Sequence, residues 1–263
     1  MAGTKNVVAF DLGASSGRGI LARFDGRKIT LEEICRFPHN FTVLNGHAYW
    51  NILMLYEEIK KGIRECREDI SGIGFDTWGV DCGFLDKEGN LLGFPMSYRD
   101  AGLDEKNMEE ALKLIGGEEE TFAETGIASL PYNTIYKLYY LEKHMPYILQ
   151  QAETLLLLPN LLEYLFSGVK HTEYSIASTT QLYDMQRKDW SKALMQKLGL
   201  PQKLFTRVEL AGVDLGTLRA DIAEETGKRH LHIISAPGHD TACAVAAVPA
   251  ADGEYTFLSS GTW

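Results

Sequence analysis

The chain has 263 residues, 45% of them hydrophobic, enough to bury one large domain, or one domain and part of another. Its 26 Lys and Arg stand against 36 Asp and Glu, leaving a formal charge of −10. A field of that sign repels phosphate backbones and acidic membrane surfaces, which argues against nucleic-acid and membrane partners and leaves small anions such as ATP open to backbone amides.

The amino terminus lacks the pattern of a signal peptide. Three strands joined by tight turns follow from it, Val7–Asp11, Arg18–Phe24 and Lys28–Phe37, with Asp25-Gly26 as a hairpin turn. Between Trp50 and Arg67 the residues Ile52, Leu53, Leu55, Tyr56, Ile59, Ile63 and Cys66 recur at roughly helical spacing. A second β unit is expected from Ile70 to Trp78 and Val80 to Leu85, closed by a turn at residues 86–90. Residues 104–200 read as a mainly helical insertion broken at Gly116-Gly117, Pro131, Pro146, Pro159 and Gly168. Within it, Leu155–Phe166 is the greasiest run. It falls well short of the roughly 20 residues that span a bilayer and reads as a buried strand entering a helix. The β framework returns as a strand at His232–Ala236, a turn at 237–240 and a small-residue helix at Thr241–Val248, and Tyr255–Ser259 is expected to open a new strand. Cys35, Cys66, Cys82 and Cys243 are scattered and fit reduced thiols of a cytoplasmic protein.

Four segments can carry chemistry. In Phe10-Asp11-Leu12-Gly13-Ala14-Ser15-Ser16-Gly17-Arg18 a carboxylate ends a strand and a Gly/Ser loop follows. Such a loop can aim amides and hydroxyls at a terminal phosphate while the carboxylate supports a magnesium ion; a flexible hairpin turn is the other reading. Ser259-Ser260-Gly261-Thr262 repeats the same chemistry most of a chain later, as two halves gripping one polyphosphate would require. Pro237-Gly238-His239-Asp240-Thr241-Ala242 places a carboxylate where a strand turns into a helix. Asp240 there is either a base for an alcohol proton or the cap of the helix. Gly74-Phe75-Asp76-Thr77-Trp78-Gly79-Val80-Asp81, with Tyr98-Arg99-Asp100 behind it, offers an aromatic platform for sugar C–H groups with carboxylates and Arg for the hydroxyls, or else a core Trp at a strand end. His47-Ala48-Tyr49-Trp50 reads as an aromatic staple before the first helix or as a second wall of the sugar pocket.

In this order the four segments resemble the FGGY carbohydrate kinase family and, within it, the L-rhamnulose kinase branch. Asp11 to Arg18, Asp76 to Asp81, His239 to Ala242 and Leu258 to Trp263 carry the likeness, helped by Leu130 to Thr134 and Ala177 to Leu182. The resemblance implies an α/β, ribonuclease H-like domain of the actin-like ATPase superfamily with a helical insertion. It implies that residues 1–248 form the sugar-binding domain and that residues 249–263 begin a nucleotide-binding domain, most of which lies beyond Trp263 and forms the natural partner surface. It further implies transfer of the ATP γ-phosphoryl group to the 1-hydroxyl of L-rhamnulose with Mg2+ as cofactor. Asp240 is then the catalytic base. Gly79, Trp78, His239, Asp240 and Thr241 line the sugar site, Ala14, Ser15, Ser16, Gly17, Arg18 and Thr262 meet the ATP phosphates, and Asp11 supports the metal. Asn160 departs from the Pro-Asp pair of many relatives. A kinase for another ketose, such as L-fuculose or xylulose, and a non-catalytic sugar-binding module are the alternatives.

Overall fold

The computed structural model describes residues 5–250, 253 and 255–259. The opening hairpins follow the expected alternation. Strand β1 (Lys5–Leu12) pairs antiparallel with β2 (Ser16–Phe24), which pairs antiparallel with β3 (Ile29–Pro38). The β2–β3 turn is held by Asp25 Oδ1, which accepts the Arg27 and Lys28 N–H groups at 2.8 Å, while Gly26 supplies φ +96°. Along β1 the side chains of Val8, Phe10 and Leu12 are buried, and Val7, Ala9 and Asp11 turn to the more open face.

A small hairpin, β4 (Phe41–Leu44) with β5 (His47–Trp50), leads into helix α1 (Ile52–Glu65). Asn51 caps α1 by accepting the Met54 N–H at 3.1 Å, and Ile52, Leu55, Ile59 and Ile63 form its buried stripe. Strand β6 (Gly72–Thr77) then lies parallel to β1, with Asp11 opposite Asp76 in the register.

Here the structure departs from the sequence reading. Strand β7 (Cys82–Leu85) does not continue the β unit in the main sheet; it leaves that sheet and pairs antiparallel with β8. The turn between β6 and β7 sends the chain sideways into the insertion, and all four residues of β7 are buried there. The insertion comprises α2 (Glu105–Ile115), α3 (Glu118–Thr125), α4 (Thr134–His144), α5 (Pro146–Gln151), β8 (Thr154–Leu157) and α6 (Leu158–Ser167). It continues through β9 (Thr172–Glu173), α7 (Tyr174–Ser178), the pair β10 (Tyr183–Asp184) and β11 (Asp189–Trp190), and α8 (Lys192–Lys197). It is thus less purely helical than expected, and Leu155–Phe166 is the buried strand and helix that its apolar run requires.

After β12 (Val208–Glu209), which pairs with β9, the main sheet is completed by β13 (Asp214–Thr217) and β14 (His232–Ile234), with α9 (Ala220–Thr226) between them. The sheet order is β13-β14-β6-β1-β2-β3, with β1, β6 and β14 parallel. One face is covered by α1 and α6, where Phe10, Phe75 and Phe166 stack at centroid distances of 5.9 and 5.4 Å. A second apolar cluster fills the insertion, around Tyr136, Leu157, Leu182 and Trp190. Helix α10 (Asp240–Ala246) closes the regular structure. Residues 255–259 do not form the expected strand: they are irregular and exposed, and among the described residues no edge pairs with them. No helix among the described residues is long and apolar enough to cross a membrane.

Candidate sugar and phosphate site

Strands β6 and β14 run parallel, so the loops at their carboxyl ends rise side by side, and between them lies a cavity of about 620 Å³. Trp78, Gly79 and Val80 line it from the β6 side and His239, Asp240 and Thr241 from the β14 side, with Tyr98, Tyr132, Asn133 and Thr179 contributed by the connecting loop and the insertion. The structure therefore brings together the five residues that the sequence grouped as a sugar site.

The turn carrying Asp240 is fixed from two directions. Its Gly238 carbonyl accepts the Thr77 N–H at 2.9 Å from β6, while the Gly238 N–H donates to Glu173 Oε2 at 2.9 Å and the His239 N–H to Ser175 Oγ at 3.3 Å, both from the insertion. A Cβ on Gly238 would come within 2.8 Å of Pro159 Cγ, so only glycine lets the turn sit this close. His239, not Asp240, occupies the N-cap position of α10, and Asp240 begins the helix. The capping reading of Asp240 therefore fails. Its Oδ1 accepts the Thr241 N–H at 2.6 Å and the Thr241 hydroxyl at 3.2 Å, while Oδ2 accepts no hydrogen bond from the described residues. The His239 ring, 3.4 Å from the carboxylate, is kept below the usual imidazole pKa by burial, against the pull of Asp240.

The expectation that the carboxylates around Trp78 serve sugar hydroxyls needs correction. Asp81 is buried, with Oδ1 on Lys137 Nζ and Oδ2 on the indole N–H groups of Trp50 and Trp78. Asp100 is also buried, accepting the Ala48 N–H at 2.6 Å and the Gly102 N–H at 2.9 Å. Both are committed to holding loops. Trp50 backs Trp78, centroids 4.4 Å apart, rather than forming a second wall of the cavity. Between Gly79 and Asp81 the chain makes a tight γ-turn, closed by the Asp81 N–H on the Gly79 carbonyl at 2.9 Å, with Val80 at φ +67°. A β-branched residue in that region costs of order 1–3 kcal/mol, which neighbouring bonds must offset.

The Gly/Ser loop sits at the ends of β1 and β2. Its Gly13 N–H donates to the Ser16 carbonyl at 3.0 Å, and Ser15 is the exposed residue of the run. Ala14 is half-buried against the core. Gly17 does not belong to the open loop: it is buried in β2, where a Cβ would lie 2.4 Å from Phe37 and 2.7 Å from Leu12, so its side faces the core rather than a phosphate. Arg18 pairs with Asp11 at 2.9 Å on the open face. Thr262 lies outside the described residues.

Two further residues, Asp76 of the fourth segment and His39, tie these parts together. Asp76, level with Asp11 on the neighbouring strand, has its pKa pushed from 3.8 to about 8 by burial and then by the charges of Asp11 and Asp240. His39, which follows β3, is buried between the two regions. Its Nε2 lies 2.6 Å from the Gly13 carbonyl, its N–H donates to the Ser15 carbonyl at 3.1 Å, and its ring stacks on Trp78 at 5.5 Å. Asp76 stood in the fourth segment of the sequence, but nothing local set it opposite Asp11, and His39 carried no local signal. Among the described residues no group of three or more ligating side chains could hold a metal alone. Asp11 and Asp76, level on adjacent strands, offer the oxygen donors that a largely hydrated magnesium ion takes, one or two carboxyl groups at a time.

The model of the N-terminal domain of the FGGY family of carbohydrate kinases matches residues 6–247. A rhamnulokinase from Bacteroides thetaiotaomicron is 39% identical over 262 residues, 98% of this chain and 54% of the relative. One from Halalkalibacterium halodurans is 38% identical over 262 residues, covering 97% and 54%. The chain spans about half the length of the curated relatives it matches. Among solved structures, the xylulose kinase from Rhodospirillum rubrum superposes with a TM-score of 0.81 at 18% identity, covering 93% of this chain and 51% of that one. Plasmodium falciparum glycerol kinase with ADP gives 0.74 at 15%, covering 89% and 48%. The fold is therefore the ribonuclease H-like one of the actin-like ATPases, and the chain belongs to the FGGY family of carbohydrate kinases, matching its N-terminal domain.

Proposed function

We propose that this chain is the sugar-binding half of an ATP-dependent ketose kinase acting on L-rhamnulose at its 1-hydroxyl. In this reading residues 1–248 form the sugar domain and residues 249–263 begin the nucleotide domain, so that the 263-residue chain alone binds the sugar without turning it over. The observation that carries the reading is the convergence of Trp78, Gly79, His239, Asp240 and Thr241 on one cavity, with a carboxylate oxygen of Asp240 that accepts no hydrogen bond from the described residues. The names of the relatives at 36–39% identity favour rhamnulose among ketoses.

The Trp78 face covers sugar C–H groups, and the cavity orients the hydroxyl toward Asp240. Asp240 accepts the hydroxyl proton as the sugar oxygen bonds to the γ-phosphorus of ATP and the bond to the ADP oxygen breaks. Neutral His239 adds no competing positive charge beside that carboxylate. Ala14, Ser15, Ser16 and Arg18 meet the phosphates, with Gly17 supporting their loop from the core and Thr262 acting from the other domain. Asp11 and Asp76 would hold a magnesium ion, which would supply neutralisation of charge on the phosphates.

The test measures ADP release by the full-length enzyme with L-rhamnulose, L-fuculose and D-xylulose, and locates the phosphate by 31P NMR. L-Rhamnulose is expected to give the highest kcat/KM and a 1-phosphate. A preference of about tenfold or more for another ketose would overturn the substrate, and no sugar-dependent ADP release would overturn the reaction. Binding of sugar by the 263-residue chain, followed by calorimetry, separates this half from the rest.

A further inference from the structure

We propose that Lys137, which does not line the cavity, is a positioning residue that sets the sugar-facing edge of the site by clasping the γ-turn at Val80; the proposal rests on the sugar-site reading above. Lys137 comes from α4 in the insertion, 56 residues along the chain from Asp81, and its side chain is 1% exposed. Its ammonium has three acceptors for three protons: Asp81 Oδ1, the Met96 carbonyl at 3.1 Å and the Val80 carbonyl at 3.3 Å. The other oxygen of Asp81 takes the Trp78 indole N–H at 2.7 Å together with that of Trp50. One buried ion pair therefore fixes both the ring of Trp78 and the backbone of Val80.

The residues around it complete the clasp. The Thr134 hydroxyl donates to the same Val80 carbonyl at 2.8 Å, and the Val80 N–H donates to Thr179 Oγ1 at 3.1 Å. Both peptide groups of the strained residue are thus held from the insertion, and Gly79 is pressed against Thr179, whose Cβ a side chain at Gly79 would approach to 3.1 Å. Stability alone does not call for this arrangement, because a well-packed apolar pair serves a core as well as a buried ion pair. What the charges add is direction. An ammonium with three fixed acceptors holds a carbonyl at a defined place, and that carbonyl belongs to Val80, a residue that lines the sugar cavity.

The test compares the wild-type chain, the double variant Lys137→Met/Asp81→Asn, and a triple variant that adds Val80→Gly. The double variant removes both charges together, leaves an amide oxygen for the two indoles, and releases the Val80 carbonyl. Its melting temperature is expected within about 5 °C of wild type, while its Kd for L-rhamnulose rises about tenfold. Val80→Gly, which adopts positive φ without strain, is expected to recover about threefold of that loss. A Kd within about twofold of wild type, or a loss that Val80→Gly does not relieve, would overturn the clasp. If the double variant does not fold, Thr179→Val decides: a rise in Kd of about threefold supports the clasp, and an unchanged Kd overturns it. Should the wild type bind no ketose, the function reading fails, and the near-ultraviolet circular dichroism of Trp50 and Trp78 decides the clasp, a spectrum unaltered in the double variant overturning it.

Discussion

The loop at residues 11–18 and the turn at 78–81 each carry an ion pair, and the two pairs are built in opposite ways. Arg18 and Asp11 meet on the open face with side chains 41% and 36% exposed, whereas Lys137 and Asp81 are sealed at 1% and 0%. The exposed pair can open in favour of water or a phosphate at little cost, since such pairs contribute about 0–1 kcal/mol. The buried pair cannot open without leaving a charge unpaired. On the proposed function, the difference separates an adaptable phosphate side from a fixed sugar side, with His39 and Asp76 on the seam between them.

The largest expected effect comes from the group acting between the two regions. Asp240→Asn in the full-length enzyme is expected to lower kcat by about 10²–10⁴ while sugar affinity stays within about threefold, because in the proposed mechanism the carboxylate acts on a proton and the cavity walls supply the binding. Steady-state kinetics with calorimetry on the same preparation check this. Near-normal turnover would remove Asp240 as the base.

On the fixed side, Lys137→Met alone leaves the buried Asp81 without its partner, and is expected to destabilise the chain by about 3–5 kcal/mol in urea unfolding. A loss below about 1 kcal/mol would mean that the pair is hydrated after all, and the contrast with Arg18 would disappear.

How far the sequence showed these regions depends on whether their determinants are local. The hairpins of β1 to β3 were legible because the period-2 alternation and Asp25-Gly26 act within a few residues, as did the helical stripe of α1. The turn from Pro237 to Asp240 was legible for the same reason. The departure of β7 from the main sheet was not, because its partner, β8, lies some seventy residues on and an apolar strand does not name its neighbour. The site divides similarly. Trp78, Gly79 and Asp240 stand in compact segments, but the commitment of Asp81 to Lys137 and of Gly238 to Glu173 arises only when the insertion folds back. A sign of Lys137 was present: a lysine among the buried positions Ile135, Tyr136, Leu138 and Leu141 of α4 is expensive unless paired.

Asp76 probes the seam through pH. Its folded-state pKa of about 8 lies above the ordinary 3.8, so the folded chain holds a proton that the unfolded chain has lost across that interval. The favourable contribution of the protonated form is complete below about pH 4 and declines as pH rises toward 8, so stability falls with pH over this window. Asp76→Asn cannot ionise. Its melting temperature is expected to match wild type near pH 4 and to exceed it increasingly toward pH 8, by several degrees at the upper end. Added Mg2+ should narrow the gap at pH 8 by stabilising the wild type alone. Parallel melting curves across pH, with and without Mg2+, decide the matter; a gap independent of pH would show that burial and the charges of Asp11 and Asp240 do not raise the Asp76 pKa as described.

The smallest effect is expected at Arg18, and its smallness is the point of the comparison. Arg18→Ala removes an exposed guanidinium from a strand whose pairing with β1 and β3 does not depend on it, so unfolding free energy should change by no more than about 1 kcal/mol, and less at high salt. If the loop is the phosphate side, the same substitution should raise the KM for ATP in the full-length enzyme by about tenfold and leave the KM for sugar unchanged, because only one of the two ligands carries charge for Arg18 to meet. Arg18→Lys would recover part of the ATP effect, a point charge in place of a fork. A change confined to stability would make the pair a structural strut and erase the distinction between an adaptable and a fixed side. A change in sugar KM would instead mean that the two regions communicate through His39, which touches both.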